Sequence, residues 1–114
     1  MPESATSIRD RRGGPRRKPR GRIRVLCHVD PLGPNVARAL LDLSQVGLRL
    51  LIKKPLALGT PVALTIQRIN HMVPIHCTGI VCWSLERENG RCSVGVELHD
   101  RLDKESFARL TEGK

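Results

Sequence analysis

Two short motifs group residues whose chemistry suits a guanine nucleotide. "RRKPR" places Arg16 and Arg20 four positions apart, and "DLSQVG" places Asp42, Ser44 and Gly47 in the order Asp-x-Ser-x-x-Gly. The guanidinium group of arginine is a planar fork that matches guanine O6 and N7 and also phosphate oxygens, which lysine cannot do with the same geometry. An aspartate carboxylate only accepts hydrogen bonds, so it complements the N1–H and N2–H donors of guanine.

The elements around these motifs must bring them to one end of a sheet. "VARALLDLS" predicts a strand on which Asp42 and Ser44 share the outward face. Gly47 offers either a positive φ or a close approach of the backbone to a ligand. Each motif alone also has a purely structural interpretation, in which Asp42 and Ser44 cap a turn through their own backbone. The occurrence of both motifs, in this order, favours a binding site.

The positive charge of the chain is concentrated near its beginning. The formal net charge is +9, and residues 1–24 carry +7 of it. The positive electrostatic potential of this segment predicts that its partner is anionic. Residues 1–13 are rich in Gly, Ser and Arg with little to bury, so they are expected to form a disordered basic tail. Composition alone leaves three interpretations of residues 15–25 open, namely a solvated tail, a nucleic-acid arm and one half of a shaped anion site.

Period-two alternation of apolar residues from residue 22 to residue 98 predicts six β-strands. Asn89-Gly90 predicts a two-residue hairpin turn between the last two strands, and Gly79 is the expected site of a β-bulge. The tail "DRLDKESFARLTEGK" predicts a short helix with Asp103 near its start. The expected fold class is therefore all-β, a sandwich or small barrel, with a C-terminal helix.

Trp83 is the one aromatic residue that suggests stacking on a base. If Asn89-Gly90 forms a two-residue turn, Trp83 lies opposite Val96, which occupies an apolar, core-like position. This register favours a core position for Trp83 over contact with a ligand. The sequence has no Tyr and a single Phe, so other stacking contacts are not expected.

Several function classes lack the residues that they need. The 114-residue length predicts one domain, with no apolar run long enough for a transmembrane helix and no apolar core of a secretory signal, so a cytoplasmic location is expected. The four cysteines form no C-x-x-C and are expected as free thiols, so no metal site is predicted. With no paired carboxylates or nucleophile–base pair, no catalytic residues and no enzyme activity are expected.

The sequence resembles the PilZ domain family, whose signature is R-x-x-x-R followed by D/N-x-S-x-x-G. "RRKPR" and "DLSQVG" fit both halves without a mismatch, and "GTPVALTIQ", "GIVCW" and "VGVEL" lie where PilZ domains place similar strands. The resemblance extends over about residues 14–112. It implies a six-stranded antiparallel β-barrel with a C-terminal helix, preceded by the basic tail.

The resemblance also implies a bacterial receptor for the second messenger cyclic di-GMP, with no cofactor. Arg16 and Arg20 would bind guanine edges and phosphates, and Arg17 would add a phosphate contact. Asp42 and Ser44 would hold a guanine and nearby phosphate oxygens, while Gly47 would serve the turn.

The implied mechanism begins with a mobile arginine-rich segment. Cyclic di-GMP would order residues 14–21 over the ligand, at a cost of about 1–2 kcal/mol for each residue fixed. The new surface would then be recognised by an unidentified downstream protein, with the chain acting as a monomer or a ligand-induced dimer.

Two other functions compete with this one. A small basic β-barrel could bind nucleic acid through its arginine-rich arm, but single-strand binders use aromatic stacking platforms that this sequence nearly lacks. Nucleic acid is therefore not the expected partner. The second alternative is a PilZ-like interaction module that binds no ligand.

Overall fold

The computed structural model describes residues 16–69 and 73–112, so the predicted tail over residues 1–13 lies outside the described residues. The described chain forms six strands and one helix, which confirms the predicted elements. They are β1 (Ile23–His28), β2 (Ala37–Leu43), β3 (Gly47–Ile52), β4 (Pro61–Arg68), β5 (Ile75–Glu86), β6 (Cys92–Leu98) and α1 (Lys104–Thr111).

The six strands form one antiparallel sheet that curves into a nearly closed barrel. Its order is β1-β4-β5-β6-β3-β2, and the edge strands β1 and β2 approach each other. At one end of the line where β1 and β2 approach each other, Val36 N donates to Cys27 O at 2.8 Å. At the other end, Arg17 and Leu43 exchange two backbone hydrogen bonds of 2.8 and 2.9 Å. The predicted fold class, an all-β barrel with a C-terminal helix, is confirmed.

The hydrophobic core holds the alternating apolar residues of the strands together with Leu110 of α1. Its largest fully buried side chains include Leu43, Leu48, Leu50, Ile52, Leu64, Ile66 and Leu110. Burying one such side chain contributes about 1.5–3 kcal/mol to stability. All four cysteines are free thiols, as their positions in apolar strands predict.

The helix α1 is capped at its start and bonded to the rest of the domain near its end. The Asp103 carboxylate accepts a hydrogen bond from Ser106 N at 2.7 Å, and this N-cap bond lowers the pKa of Asp103. At the other end, Arg20 N donates to Leu110 O, and Arg68 Nη1 donates to Arg109 O, both at 2.9 Å. Leu110 is fully buried, so α1 packs on the barrel with an apolar contact as well as these bonds.

The hairpin between β5 and β6 has a three-residue loop rather than the predicted two-residue turn. Arg87 N donates to Arg91 O at 2.8 Å, which leaves residues 88–90 as the loop. Gly90 adopts a φ of 83°, the left-handed conformation that a three-residue hairpin loop needs at its last position. The sequence interpretation identified the right glycine but assigned a register that is wrong by one residue.

The β-bulge of β5 also lies further along the strand than predicted. Pairing is regular at Gly79, and the register shifts between Val81, opposite Val96, and Trp83, opposite Gly95. The extra residue is therefore Cys82. A bulge reverses the faces of the residues that follow it, so the alternation that places Val81 in the core does not continue to Trp83.

Trp83 accordingly lies on the outer surface of the barrel, and the prediction that it is a core residue is wrong. Its indole ring lies so close to the Gly95 backbone that a Cβ at that position would overlap the ring. Trp83 is half-buried. Glycine at position 95 therefore provides the flat surface on which the indole rests.

We expect Gly95→Ala to push the Trp83 indole away from the sheet, because the added methyl group occupies the position of the ring. Trp83 is the single tryptophan of the sequence, so its fluorescence reports this directly. Emission should shift to longer wavelength as the ring becomes more exposed to water. Ser84→Ala, at the exposed neighbouring position, should leave the spectrum unchanged. An unaltered spectrum in Gly95→Ala would contradict the described packing.

Candidate functional site

The carboxylate of Asp42 is held between two arginines. Arg16 Nη1 donates to Asp42 Oδ1 at 3.0 Å, and Arg49 Nε donates to Asp42 Oδ2 at 2.7 Å. The Asp42 side chain is only 10% exposed, whereas those of Arg16 and Arg49 are 37% and 46% exposed. The buried negative charge is therefore compensated by charge-assisted hydrogen bonds from two groups that also reach solvent.

The β2–β3 hairpin brings Arg49 to Asp42. Leu43 lies opposite Leu48, and the next pair along the ladder is Asp42 opposite Arg49. Opposite charges at directly facing positions of an antiparallel pair attract each other. The sequence analysis missed Arg49, although pairing the apolar residues on either side of the "SQVG" turn would have indicated it.

The arginine-rich segment is attached to the end of β2 through its backbone. The mutual bonds of Arg17 and Leu43 place the neighbouring Arg16 beside Asp42. Lys18 lies near the same outer surface, and the Arg20 backbone is bonded to α1. The sequence analysis expects a segment that is mobile without ligand. In the structure its backbone is bonded to β2 at Arg17 and to α1 at Arg20.

Ser44 and Gly47 form the turn between β2 and β3. Ser44 N donates to Gly47 O at 2.8 Å, and the Ser44 hydroxyl accepts from Val46 N at 3.3 Å while lying 3.4 Å from Gly47 O. Ser44, like Asp42, is buried rather than exposed on an outward face. Its hydroxyl caps the turn, which was the structural alternative.

Gly47 is required for close packing and not for a positive φ. The described glycines with a positive φ are Gly21, Gly59 and Gly90. A Cβ on Gly47 would lie 2.8 Å from Val96 O of β6. Gly47 therefore lets β3 approach β6, which fixes the turn that precedes it.

A pocket of about 330 Å³ adjoins the Asp42 cluster on the outer surface. Its lining combines apolar and basic side chains. The lining residues are Lys18, Leu41, Arg49, Leu51, Trp83, Leu85, Arg87, Arg91, Cys92 and Ser93. The lining includes no carboxylate. A flat indole with cations around it can hold a planar base and an attached anionic group.

Irregular pairing in β2 explains why Leu41 faces this pocket. Leu40 pairs with Leu50 and Asp42 pairs with Arg49, so Leu41 is an extra residue in the strand. Leu40 consequently points to the core and Leu41 outward, against the simple alternation. The same irregularity directs Asp42 toward the arginines.

The predicted site residues thus divide into three groups. Arg16 and Asp42 are in direct contact. Arg17 and Arg20 are positioned by backbone bonds and have exposed side chains, and Ser44 and Gly47 build the turn. Sequence reasoning missed the contact of Arg49 with Asp42 and the position of Lys18 in the lining of the adjacent pocket. It also assigned Trp83 to the core rather than to the outer surface.

A second pocket, of about 470 Å³, lies between β4, β5 and the start of α1. Its polar side chains bond to each other or to neighbours, with His76 Nδ1 3.1 Å from Thr65 Oγ1 and Thr78 Oγ1 2.9 Å from His99 Nδ1. Burial raises the pKa of the Cys77 thiol in this pocket to about 11. Within residues 16–69 and 73–112, no cluster of three or more His, Cys, Asp or Glu side chains is arranged to hold a metal.

We expect Arg49→Ala to lower the free energy of unfolding by about 1.5–3 kcal/mol, because it removes a hydrogen bond from a largely buried carboxylate. Urea unfolding followed by circular dichroism measures the change. Arg24→Ala is the matched control, because Arg24 is an exposed residue of β1. This substitution should change the free energy of unfolding by less than about 0.5 kcal/mol. Equal effects of the two substitutions would contradict the role of Arg49.

Gly47→Ala should destabilise the fold by about 1–3 kcal/mol, because the new methyl group would push against a backbone carbonyl that cannot move independently of β6. The unfolding midpoint in urea should fall accordingly. A midpoint equal to that of the parent chain would show that β3 and β6 are not packed as described.

The comparisons with known proteins agree with this architecture. Residues 14–113 match the family model described as PilZ domain. Searches of curated proteins and of solved structures returned no match. Among the described residues, no helix combines the length and apolar character needed to cross a membrane. PilZ domains are receptor modules that bind cyclic di-GMP. With a family match over nearly its whole length and a six-stranded barrel closed by a C-terminal helix, the chain belongs to the PilZ domain family.

Proposed function

We propose that this chain is a receptor for cyclic di-GMP, which binds on the outer surface of the barrel at Asp42 and the adjacent pocket. The observation that carries the proposal is the Asp42 carboxylate held between Arg16 and Arg49 beside the Trp83 indole. This cluster supplies the acceptor, the planar cations and the stacking surface that a guanine nucleotide requires. The family match supports the same ligand class.

Guanine recognition at Asp42 is an exchange of partners. The N1–H and N2–H groups of guanine donate to the carboxylate, replacing one or both arginine bonds. The released guanidinium groups bind guanine O6 and N7 or the phosphates. The carboxylate keeps hydrogen-bond donors throughout, so the ligand never leaves an uncompensated buried charge.

The remaining cations bind the phosphates. Arg17 and Arg20 are exposed and lie on the segment next to Asp42, within reach of ligand that occupies the site. Lys18 lines the pocket beside Trp83 and adds a positive charge there. Base stacking on an aromatic ring contributes about 1–3 kcal/mol, so we assign Trp83 a direct ligand contact.

Ser44 and Gly47 support the site through the turn. The Ser44 hydroxyl is already bonded within the turn, and Gly47 maintains the close approach of β3 to β6. We therefore assign Ser44 the role of positioning Asp42 and Arg49 on their paired strands. A direct bond from Ser44 to a phosphate oxygen requires the turn to rearrange.

Signalling to a downstream protein proceeds through residues 16–20. Their backbone bonds connect the Asp42 cluster to α1 through Arg20 N and Leu110 O. When Arg16 changes partner, the segment shifts relative to β2 and alters the surface that it shares with α1. A partner protein recognises this altered surface.

Titration calorimetry tests the proposal. Cyclic di-GMP should bind the parent chain at micromolar concentrations, and Arg16→Ala, Arg20→Ala and Asp42→Ala should each weaken binding at least about tenfold, as expected for loss of a charge-assisted bond. Arg24→Ala is the matched control and should retain full affinity. No heat of binding at tens of micromolar ligand, for a folded parent chain, would overturn the proposal.

Selectivity distinguishes this receptor from a nucleic-acid-binding barrel. A shaped site should prefer cyclic di-GMP to cyclic di-AMP and GMP, and the double substitution Arg16→Lys with Arg20→Lys should lose affinity although it preserves charge. Binding to a nucleic acid would instead fall steeply with salt and show little nucleotide preference. Full affinity of the lysine variant for cyclic di-GMP would instead indicate that the arginine-rich segment recognises its ligand by positive charge alone.

A further inference from the structure

The outer face of strands β2, β3, β6 and β5 is organised in cross-strand rows. One row contains the proposed nucleotide site, with Asp42 opposite Arg49, Arg49 opposite Gly95, and Gly95 opposite Trp83. The next row on the same face lies two residues away on β3, β6 and β5, and three residues away on β2, where Leu41 is an extra residue. It consists of Ala39, Leu51, Ser93 and Leu85 in the same cross-strand order. This second row is small and aliphatic.

Beyond the aliphatic row lies a second basic area. Arg38 and Arg91 line a pocket of about 490 Å³ whose other lining residues are Ala39, Leu51, Asn89 and Gly90. Leu51 and Arg91 also line the pocket that contains Trp83, so the two depressions adjoin. Arg38 is an extra residue of β2, between Ala37 opposite Ile52 and Ala39 opposite Leu51, so it lies beyond the second row.

The two arginines of this area make no ion pair with any residue in the ranges 16–69 and 73–112. The linings of the two adjoining pockets include no carboxylate. Glu86 and Glu88 line a third pocket, which adjoins the other two through Leu85, Arg87 and Asn89. Arg38 and Arg91 therefore present their charge to solvent on either side of exposed aliphatic surface, with Leu85 46% exposed.

We propose that Arg38, Leu51, Leu85 and Arg91 form a docking face for an acidic amphipathic helix of a partner protein. Carboxylates of the helix bind Arg38 and Arg91, and its apolar side chains cover Leu51 and Leu85. This assignment extends the partner step of the proposed function by giving it a location and a chemistry. The shared lining of the two pockets couples it to the nucleotide site.

The chemistry of the face selects this occupant. The surface between the arginines is aliphatic, whereas a single-stranded nucleic acid requires aromatic rings for stacking. β3 and β6 are interior strands whose backbone groups are already paired, so a partner cannot add a strand there. An element that presents side chains, with acids beside an apolar stripe, satisfies both the charges and the exposed leucines.

The test uses a synthetic 16-residue helical peptide with leucines and glutamates on one face, compared with a peptide in which every glutamate is glutamine. Binding is measured by fluorescence anisotropy at physiological salt against the parent chain and two charge-reversed variants. Arg38→Glu with Arg91→Glu alters the docking face. Arg24→Glu with Lys104→Glu makes the same change in net charge at exposed positions that line neither pocket.

We expect the acidic peptide to bind the parent chain and the control variant equally, and the docking-face variant at least about tenfold more weakly, since attraction is replaced by repulsion. The glutamine peptide should not distinguish the variants. Equal weakening in both charge-reversed variants, or no binding of the acidic peptide to the parent chain, would overturn the docking face.

Calorimetry with cyclic di-GMP on single variants separates this proposal from the nucleotide site. Arg38→Glu, which alters the docking pocket but lies outside the lining of the nucleotide pocket, should bind the nucleotide with the affinity of Arg24→Glu, because both carry the same net charge. A parent chain that binds the peptide through Arg38 and Arg91 but does not bind cyclic di-GMP would refute the nucleotide proposal and retain the docking face.

Discussion

The compensation of one largely buried carboxylate organises this face of the barrel. Asp42 requires positive partners because its side chain is only 10% exposed, and it obtains them from two different parts of the chain. Arg49 reaches it across the β2–β3 hairpin, and Arg16 reaches it because the Arg17 backbone pairs with Leu43. The ion-pair cluster therefore joins the basic N-terminal segment to the sheet, and the same groups are those that a guanine and its phosphates would bind.

Local irregularities of the sheet determine what surrounds this cluster. The second of two irregularities in β2 makes Leu41 an extra residue that faces outward, and the bulge at Cys82 places Trp83 over Gly95 on the same face. Each irregularity departs from strict alternation by a single residue. Together they place Leu41 and Trp83 in the lining of the pocket next to Asp42, which basic side chains also line.

The sequence predicted the six strands and the C-terminal helix, because period-two patterns are local features. It also predicted that the motifs containing Arg16 and Asp42 come together at one end of the sheet. It failed where a one-residue change in register decides the outcome. A three-residue loop ending at Gly90 has nearly the same composition as a two-residue Asn-Gly turn, yet it shifts every pair in the hairpin. The bonds of the Ser44 hydroxyl within the turn likewise depend on geometry that spacing does not reveal.

The central claim is that Asp42 reads the N1–H and N2–H edge of guanine. The most direct measurement compares the affinities of cyclic di-GMP and cyclic di-IMP, which lacks the 2-amino group, for the parent chain and for Asp42→Ala. The account predicts a preference of about tenfold or more for cyclic di-GMP in the parent chain, as expected for one charge-assisted bond, and its disappearance in Asp42→Ala. Equal affinities in the parent chain, or an undiminished preference in the variant, would contradict it.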